Sequence, residues 1–139
     1  MFLLDTSVLI YRVTDSEYRR PCAEIVRAVV EKGAEGVVSA AVLEEVWQLE
    51  LQGLIDGLDG VTADYYDLFS PLLPMTDEIL ARALTLDAPA LGSSDRVHAA
   101  TCLENGFGTI VSADPAFDGV SGLRRVDPLN TRAVAALLA

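Results

Sequence analysis

Lysine is almost missing from this chain: Lys32 is the only one, placed at the end of an early helical pattern. A phosphoacceptor signalling domain needs a lysine beside its aspartyl pocket, so that reading of an acidic α/β chain fails. An aspartate-nucleophile phosphatase would carry a second acid two residues after Asp5, where Ser7 stands. Histidine and cysteine are scarce too, with His98, Cys22 and Cys102 the full complement. Nothing has zinc-ligand spacing, and both cysteines fall in helix-like apolar patterns, as the buried thiols of a cytosolic protein do. No apolar run approaches the ~20 residues that span a bilayer. Asp5 interrupts the opening apolar run almost at once, unlike a secretory signal. A soluble cytoplasmic protein is expected, with no membrane partner.

The hydrophobic share of 51% promises a large core, and 139 residues suit one domain, residues 1–139. No repeat, low-complexity tract or long linker argues for a second. Net charge is −11, from 21 acids against 10 bases. Such a field repels nucleic acid as a whole and favours a basic partner or bound cations, so any nucleic-acid contact must be local.

Short apolar runs alternate with amphipathic patterns. Phe2-Leu3-Leu4 has no polar face and ends at Asp5, as a strand covered on both sides would. Thr6 to Val13 reads as a short helix. Ser16 starts a longer one whose stripe is Cys22, Ile25, Val26, Val29 and Val30, with Pro21 in its first turn and Gly33 as its stop. Gly36–Ser39 is a second strand, and Ala40–Gln52 a helix. Thr62 is expected to cap a helix through Phe69, and Pro71 and Pro74 to bracket an extended piece. Thr76 caps the next helix, and Ser93-Ser94-Asp95 the one through Glu104. Thr109–Ser112 and Leu123–Val126 are further strands, separated by a turn at Asp114-Pro115, and Thr131–Leu138 is a terminal helix. The alternation predicts a three-layer α/β/α fold around a mostly parallel sheet.

In such sheets ligands bind beyond the carboxyl ends of the strands. Asp5 ends the first strand, Glu45 lies in the helix after the second, Asp95 opens a helix, and Asp114 follows the strand ending at Ser112. Right-handed crossovers bring these positions to one edge of the sheet. Asp5 can also be read as a helix cap, but the recurrence of acids in that setting exceeds what capping explains. Converging carboxylates repel and raise one another's pKa unless a cation lies between them. The oxygen-rich set suits Mg²⁺ better than zinc, and bound metal can activate water for phosphodiester hydrolysis.

The ordered motifs Leu4-Asp5-Thr6-Ser7-Val8-Leu9-Ile10, Ser39-Ala40 followed by Glu45, Asp95-Arg96-Val97-His98-Ala99-Ala100-Thr101, and Ile110-Val111-Ser112-Ala113-Asp114 resemble those of PIN-domain ribonucleases. Within that superfamily, length and spacing look most like the VapC-type toxins of bacterial toxin–antitoxin pairs. The resemblance runs from Phe2 to about Pro128. It implies that Asp5, Glu45, Asp95 and Asp114 form a catalytic acidic cluster, with metal on Asp5, Asp95 and Asp114, and with Ser7 and Ser112 orienting acids or metal waters. It also implies Mg²⁺ or Mn²⁺, cleavage of single-stranded RNA, a homodimer and a small antitoxin partner. Ala113 stands where Asn is common in the family, and Ser112 where Thr is common, so the fourth motif is the weakest.

Glu44 adjoins Glu45, but Glu45 has the family spacing from Ser39 and is preferred. Asp118 can assist Asp114 or simply sit in a surface turn. His98, one turn beyond Asp95, can reach the site, but is read in preference as a packed or partly exposed histidine at a position that is not catalytic in the family. Arg12 and Arg96 are candidates for phosphate contacts, or for pairing with neighbouring acids. Trp47, Tyr65, Tyr66 and Phe69 are candidates for stacking bases, but at helical spacing read in preference as core or subunit interface. The competing function is a PIN-like binding module with little or no turnover.

Overall fold

The computed structural model describes residues 1–139. Its sheet has four strands, β1 (Phe2–Leu4), β2 (Gly36–Val37), β3 (Thr109–Val111) and β4 (Arg124–Val126), in the order β2-β1-β3-β4. Every pairing is parallel, with Leu3 opposite Val37 on one side and opposite Ile110 on the other. β1 and β3 are the inner strands, paired on both edges, and the crossover helices cover the faces of the sheet. Phe2, Leu3 and Leu4 are accordingly buried without alternation.

The connection from β1 to β2 carries helices α1 (Thr6–Tyr11) and α2 (Arg19–Lys32). The return from β2 to β3 carries α3 (Ala40–Gln52), α4 (Val61–Phe69), α5 (Asp77–Thr85) and α6 (Ser93–Glu104). These crossovers run in opposite directions along the sheet, so right-handedness places them on opposite faces. That is the expected three-layer α/β/α arrangement. A 3-10 helix, Pro115–Gly119, leads to β4, and α7 (Thr131–Leu138) packs against α2. The main core of 26 buried residues joins the sheet to α1, α2 and α3, while Ile79, Ala83, Val97 and Ala100 form a smaller one between α5 and α6. No helix is long and apolar enough to cross a membrane.

The bounds of α3 coincide with the sequence expectation, and Ser39 caps it by accepting from Val42 N. Thr76 caps α5 in the same way. Two other caps differ. α4 starts after Gly60, which has φ of 77°, and Thr62 is not its cap. Glu50 reaches across from α3 instead, accepting from Gly60 N and Thr62 N at 3.1 and 3.0 Å. A carboxylate from a neighbouring helix thus satisfies the free amides of the new one. At α6 the N-cap is Gly92, and Ser93, Ser94 and Asp95 lie inside the first turn. The Asp95 carboxylate is therefore not spent on capping.

α1 stops at Tyr11 and α2 starts at Arg19, with Ser16 closing a turn by accepting from Tyr18 N. The extended piece between Pro71 and Pro74 bridges to the end of the second strand run: Leu73 N donates to Val38 O and Ala40 N to Leu73 O. Cys22 and Cys102 are free and buried, and burial pushes both thiols up to about 12. Neither is an available nucleophile at neutral pH.

α4 is pinned to α1 by Tyr65, fully buried, whose hydroxyl donates to Leu9 O at 2.6 Å. Tyr65→Phe leaves that carbonyl without its buried partner. The expected cost is about 1–2 kcal/mol, read as a lower urea midpoint at unchanged m-value.

Candidate active site

Asp5 occupies the N-cap position of α1 and yet makes no side-chain cap bond. Its carboxylate points along the strand ends instead, where Oδ2 accepts from Ser7 Oγ at 2.9 Å and from Ser112 Oγ at 2.7 Å. Each hydroxyl also accepts a main-chain amide: Ala113 N donates to Ser7 and Asp114 N to Ser112. The ends of β1 and β3 are thereby knotted around one oxygen. The other oxygen, Oδ1, is buried and has no hydrogen-bond partner. A buried carboxylate oxygen left bare is costly unless something fills the role of a donor.

Glu45 and Asp95 bring their carboxylates to the same place from α3 and α6. Along with His98, one turn on from Asp95, they and Asp5 each offer a ligand atom within 4.8 Å of the others. His98 is fully buried and its Nε2 lies 3.3 Å from Glu45 Oε1. Burial is the largest single influence on Glu45 and works against its charged form, but the His98 hydrogen bond and charge, with Thr6 and Ser94, together outweigh it and hold the carboxyl below its ordinary value. Burial likewise opposes charge on His98, whereas the Glu45 bond and the nearby Asp5 and Asp95 charges raise it. Asp95 has only the charge of His98 in its favour, and that is not enough. Burial first, then repulsion from Asp5, Glu45 and Asp114, pushes it up to about 6.

The four acids singled out in the sequence all line one open cleft of about 580 Å³, with Ser7, Tyr11, Gln48 and Pro115 among its walls. They are not equivalent. Asp114 stands outside the tight group, because its Oδ1 caps the 3-10 helix by accepting from Ala116 N at 2.9 Å. His98, set aside in the sequence as a packed residue, belongs to that group while also being packed. Its signal was the three-residue step from Asp95, which puts both on one face of a helix. Glu45 faces the cleft, whereas Glu44 is exposed and bonded to Gln48. Asp118 is held outside by Arg125 through two hydrogen bonds.

Neither candidate arginine lines the cleft. Arg96 follows Asp95 by one position, about 100° around the helix. It therefore turns away, donating to Leu91 O and lining an apolar hollow with Leu80, Leu84 and Val97. Arg12 lies over the Tyr65 ring, 5.6 Å from its centroid, and lines a different concavity beside the end of α1.

Three carboxylates, one bare buried oxygen and an open side fit a hard divalent cation such as Mg²⁺ or Mn²⁺, which takes oxygen ligands and keeps waters. The imidazole is already engaged by Glu45, so the oxygens are the better donors.

The PIN domain family model matches residues 2–123. This chain belongs to the PIN-domain family. Ribonuclease VapC7 of Mycobacterium tuberculosis (strain ATCC 25618 / H37Rv) is 30% identical, over 92% of this PIN domain and 92% of the relative's length. Among solved structures, FitAcB from Neisseria gonorrhoeae superposes with a TM-score of 0.72 at 17% identity, covering 94% of this chain and 99% of that one. Mycobacterium tuberculosis VapC20, a sarcin-ricin loop cleaving toxin, superposes with a TM-score of 0.65 at 16% identity, covering 89% and 99%. At those identities the two superpositions establish a shared fold.

The raised value of Asp95 has a consequence for stability in metal-free solution. The folded protein binds a proton there up to pH about 6, while the unfolded chain releases it near the ordinary 3.8. Stability accordingly falls as pH rises between those values. In EDTA, Asp95→Asn should melt a few degrees higher than the parent above pH about 6, with the gap closing toward pH about 4. Thermal melts across that range check it, and an identical pair of curves at neutral pH would refute the repulsion.

Proposed function

We propose that this PIN domain is an endoribonuclease dependent on Mg²⁺ or Mn²⁺, hydrolysing phosphodiester bonds of single-stranded RNA. The observation that carries the reading is an Asp5 carboxylate with one bare, buried oxygen, Oδ1, clustered with Asp95 and Glu45 at an open cleft. Asp5 and Asp95 are assigned as cation ligands, and Asp114, through the oxygen its cap leaves free, as the third. A cation held there offsets the clustered charge and supplies Lewis-acid polarisation of a phosphodiester and of an attacking water.

The chain's own groups do the rest. Ser7 and Ser112 hold Asp5 Oδ2, which leaves Oδ1 as the bare oxygen. His98 holds Glu45 through Oε1 and keeps it ionised, leaving the second oxygen to orient the water and accept its proton. A binding module without turnover has less support, since an unused cluster of acids carries its repulsion without return.

As a ribonuclease of VapC type, the protein acts as the toxin of a toxin–antitoxin pair in the cytoplasm. The similarity to VapC7 and the fold shared with VapC20 support that role. A small antitoxin carrying a basic segment suits the net charge of −11. A homodimer is the proposed assembly, and the exposed Leu80 and Leu84 of α5 offer apolar surface for a second copy to cover.

The test is cleavage of a panel of structured and single-stranded RNAs in Mg²⁺, Mn²⁺ or EDTA. Cutting should need the metal and vanish in Asp5→Asn. Ser112→Ala, which loosens Asp5 without removing a ligand, should lose about ten- to a hundred-fold. Cutting that survives in EDTA or in Asp5→Asn would defeat the mechanism, and a panel left intact by the parent would favour the binding module.

A further inference from the structure

The acidic cleft ends at Tyr11, and the next residue, Arg12, opens a second concavity on the same end of α1. That hollow lies between the end of α1, the start of α2 and Gly57, and its walls are Arg12, Val13, Ser16, Arg19, Arg20, Ala23 and Gly57. In a chain with twice as many acids as bases, it gathers three arginines and no acid. Four arginines are engaged by carboxylates, among them Arg20 by Glu24 at 3.3 Å. Arg12 and Arg19 have no ion pair.

Arg12 is also oriented. Its guanidinium carbon lies 5.6 Å from the centroid of the Tyr65 ring, a cation–π placement that uses the ring face and not an ion pair. The wall between the two hollows is stiff as well, because Tyr11 stacks on Tyr18 with centroids 5.0 Å apart and Tyr18 O–H donates to Asp127. Arginines without partners, fixed beside an acidic cleft that by itself repels a polyanion, have the chemistry of a phosphate-binding subsite.

We propose that Arg12 and Arg19 form a backbone subsite that binds phosphates of a single-stranded RNA flanking the scissile bond. The inference rests on the nuclease reading above and extends it to how so acidic a protein holds RNA. The cleft supplies chemistry and tolerates phosphate only where a cation sits. The arginine hollow supplies the affinity, reading no base and setting the direction in which the strand leaves the cleft.

The experiment measures binding of a labelled single-stranded RNA by anisotropy across a salt series, in the Asp5→Asn background so that the probe stays intact. Arg12→Ala/Arg19→Ala should weaken binding on the order of ten-fold at low salt and lower the slope of log Kd against log salt by about 1.4, roughly 0.7 for each phosphate released. Arg12→Lys/Arg19→Lys should keep most of the slope. Arg132→Ala, an exposed arginine on α7, should change neither quantity. Should the double variant fold poorly, Arg19→Ala alone, at an exposed position, should lower the slope by about 0.7. An unchanged affinity and slope in a protein whose parent binds and cleaves RNA would overturn the subsite and leave the nuclease standing. A parent that neither binds nor cleaves RNA would overturn both. Loss of binding to a polyglutamate peptide, with RNA binding intact, would reassign the hollow to an acidic protein segment.

Discussion

Everything at the cleft depends on where one carboxylate is held. Asp5 follows an inner strand with no polar face, so its main chain is fixed by the sheet and its side chain cannot retreat into solvent. Two serines hold one oxygen from opposite strand ends, and the other is left bare. That asymmetry is the source of the site's chemistry. A freely rotating surface aspartate would hydrate both oxygens and have little reason to prefer a cation.

The remaining acids arrive from separate elements, and each is managed differently. Glu45 is paired with a buried histidine, Asp114 gives one oxygen to a helix end, and Asp95 carries burial and a repulsion that His98 offsets only in part. Glu45 and Asp95 therefore differ in their readiness to give up a proton, Glu45 being the readier.

Much of this was legible in the sequence. An apolar run without alternation identified β1 as a strand covered on both faces, and Ser39 with the stripe after it gave the bounds of α3. The order of the acids along the chain, together with right-handed crossovers, was enough to expect convergence. What the pattern could not resolve was direction. Arg96 adjoins Asp95 and still faces an apolar hollow, because neighbours on a helix diverge by about 100°. His98 reads as core and is core, but its ring nitrogen also reaches Glu45 from a distant helix. The α4 cap comes from Glu50, ten residues before Gly60, a contact that no local motif records. Asp114 is spent in part on its own turn, a choice between two partners that only the folded geometry makes.

The hydroxyl of Ser112 and the carboxylate of Asp5 are 107 positions apart in the chain. Between them in the chain lie α1 to α6 and β2. A chain still being synthesised, with β3 not yet emerged from the ribosome, carries the first aspartate but neither Ser112 nor Asp114. The cleft thus comes into being late, as a property of the finished fold. An enzyme that cuts RNA would stay inert toward the ribosome and message producing it until its own translation is nearly over.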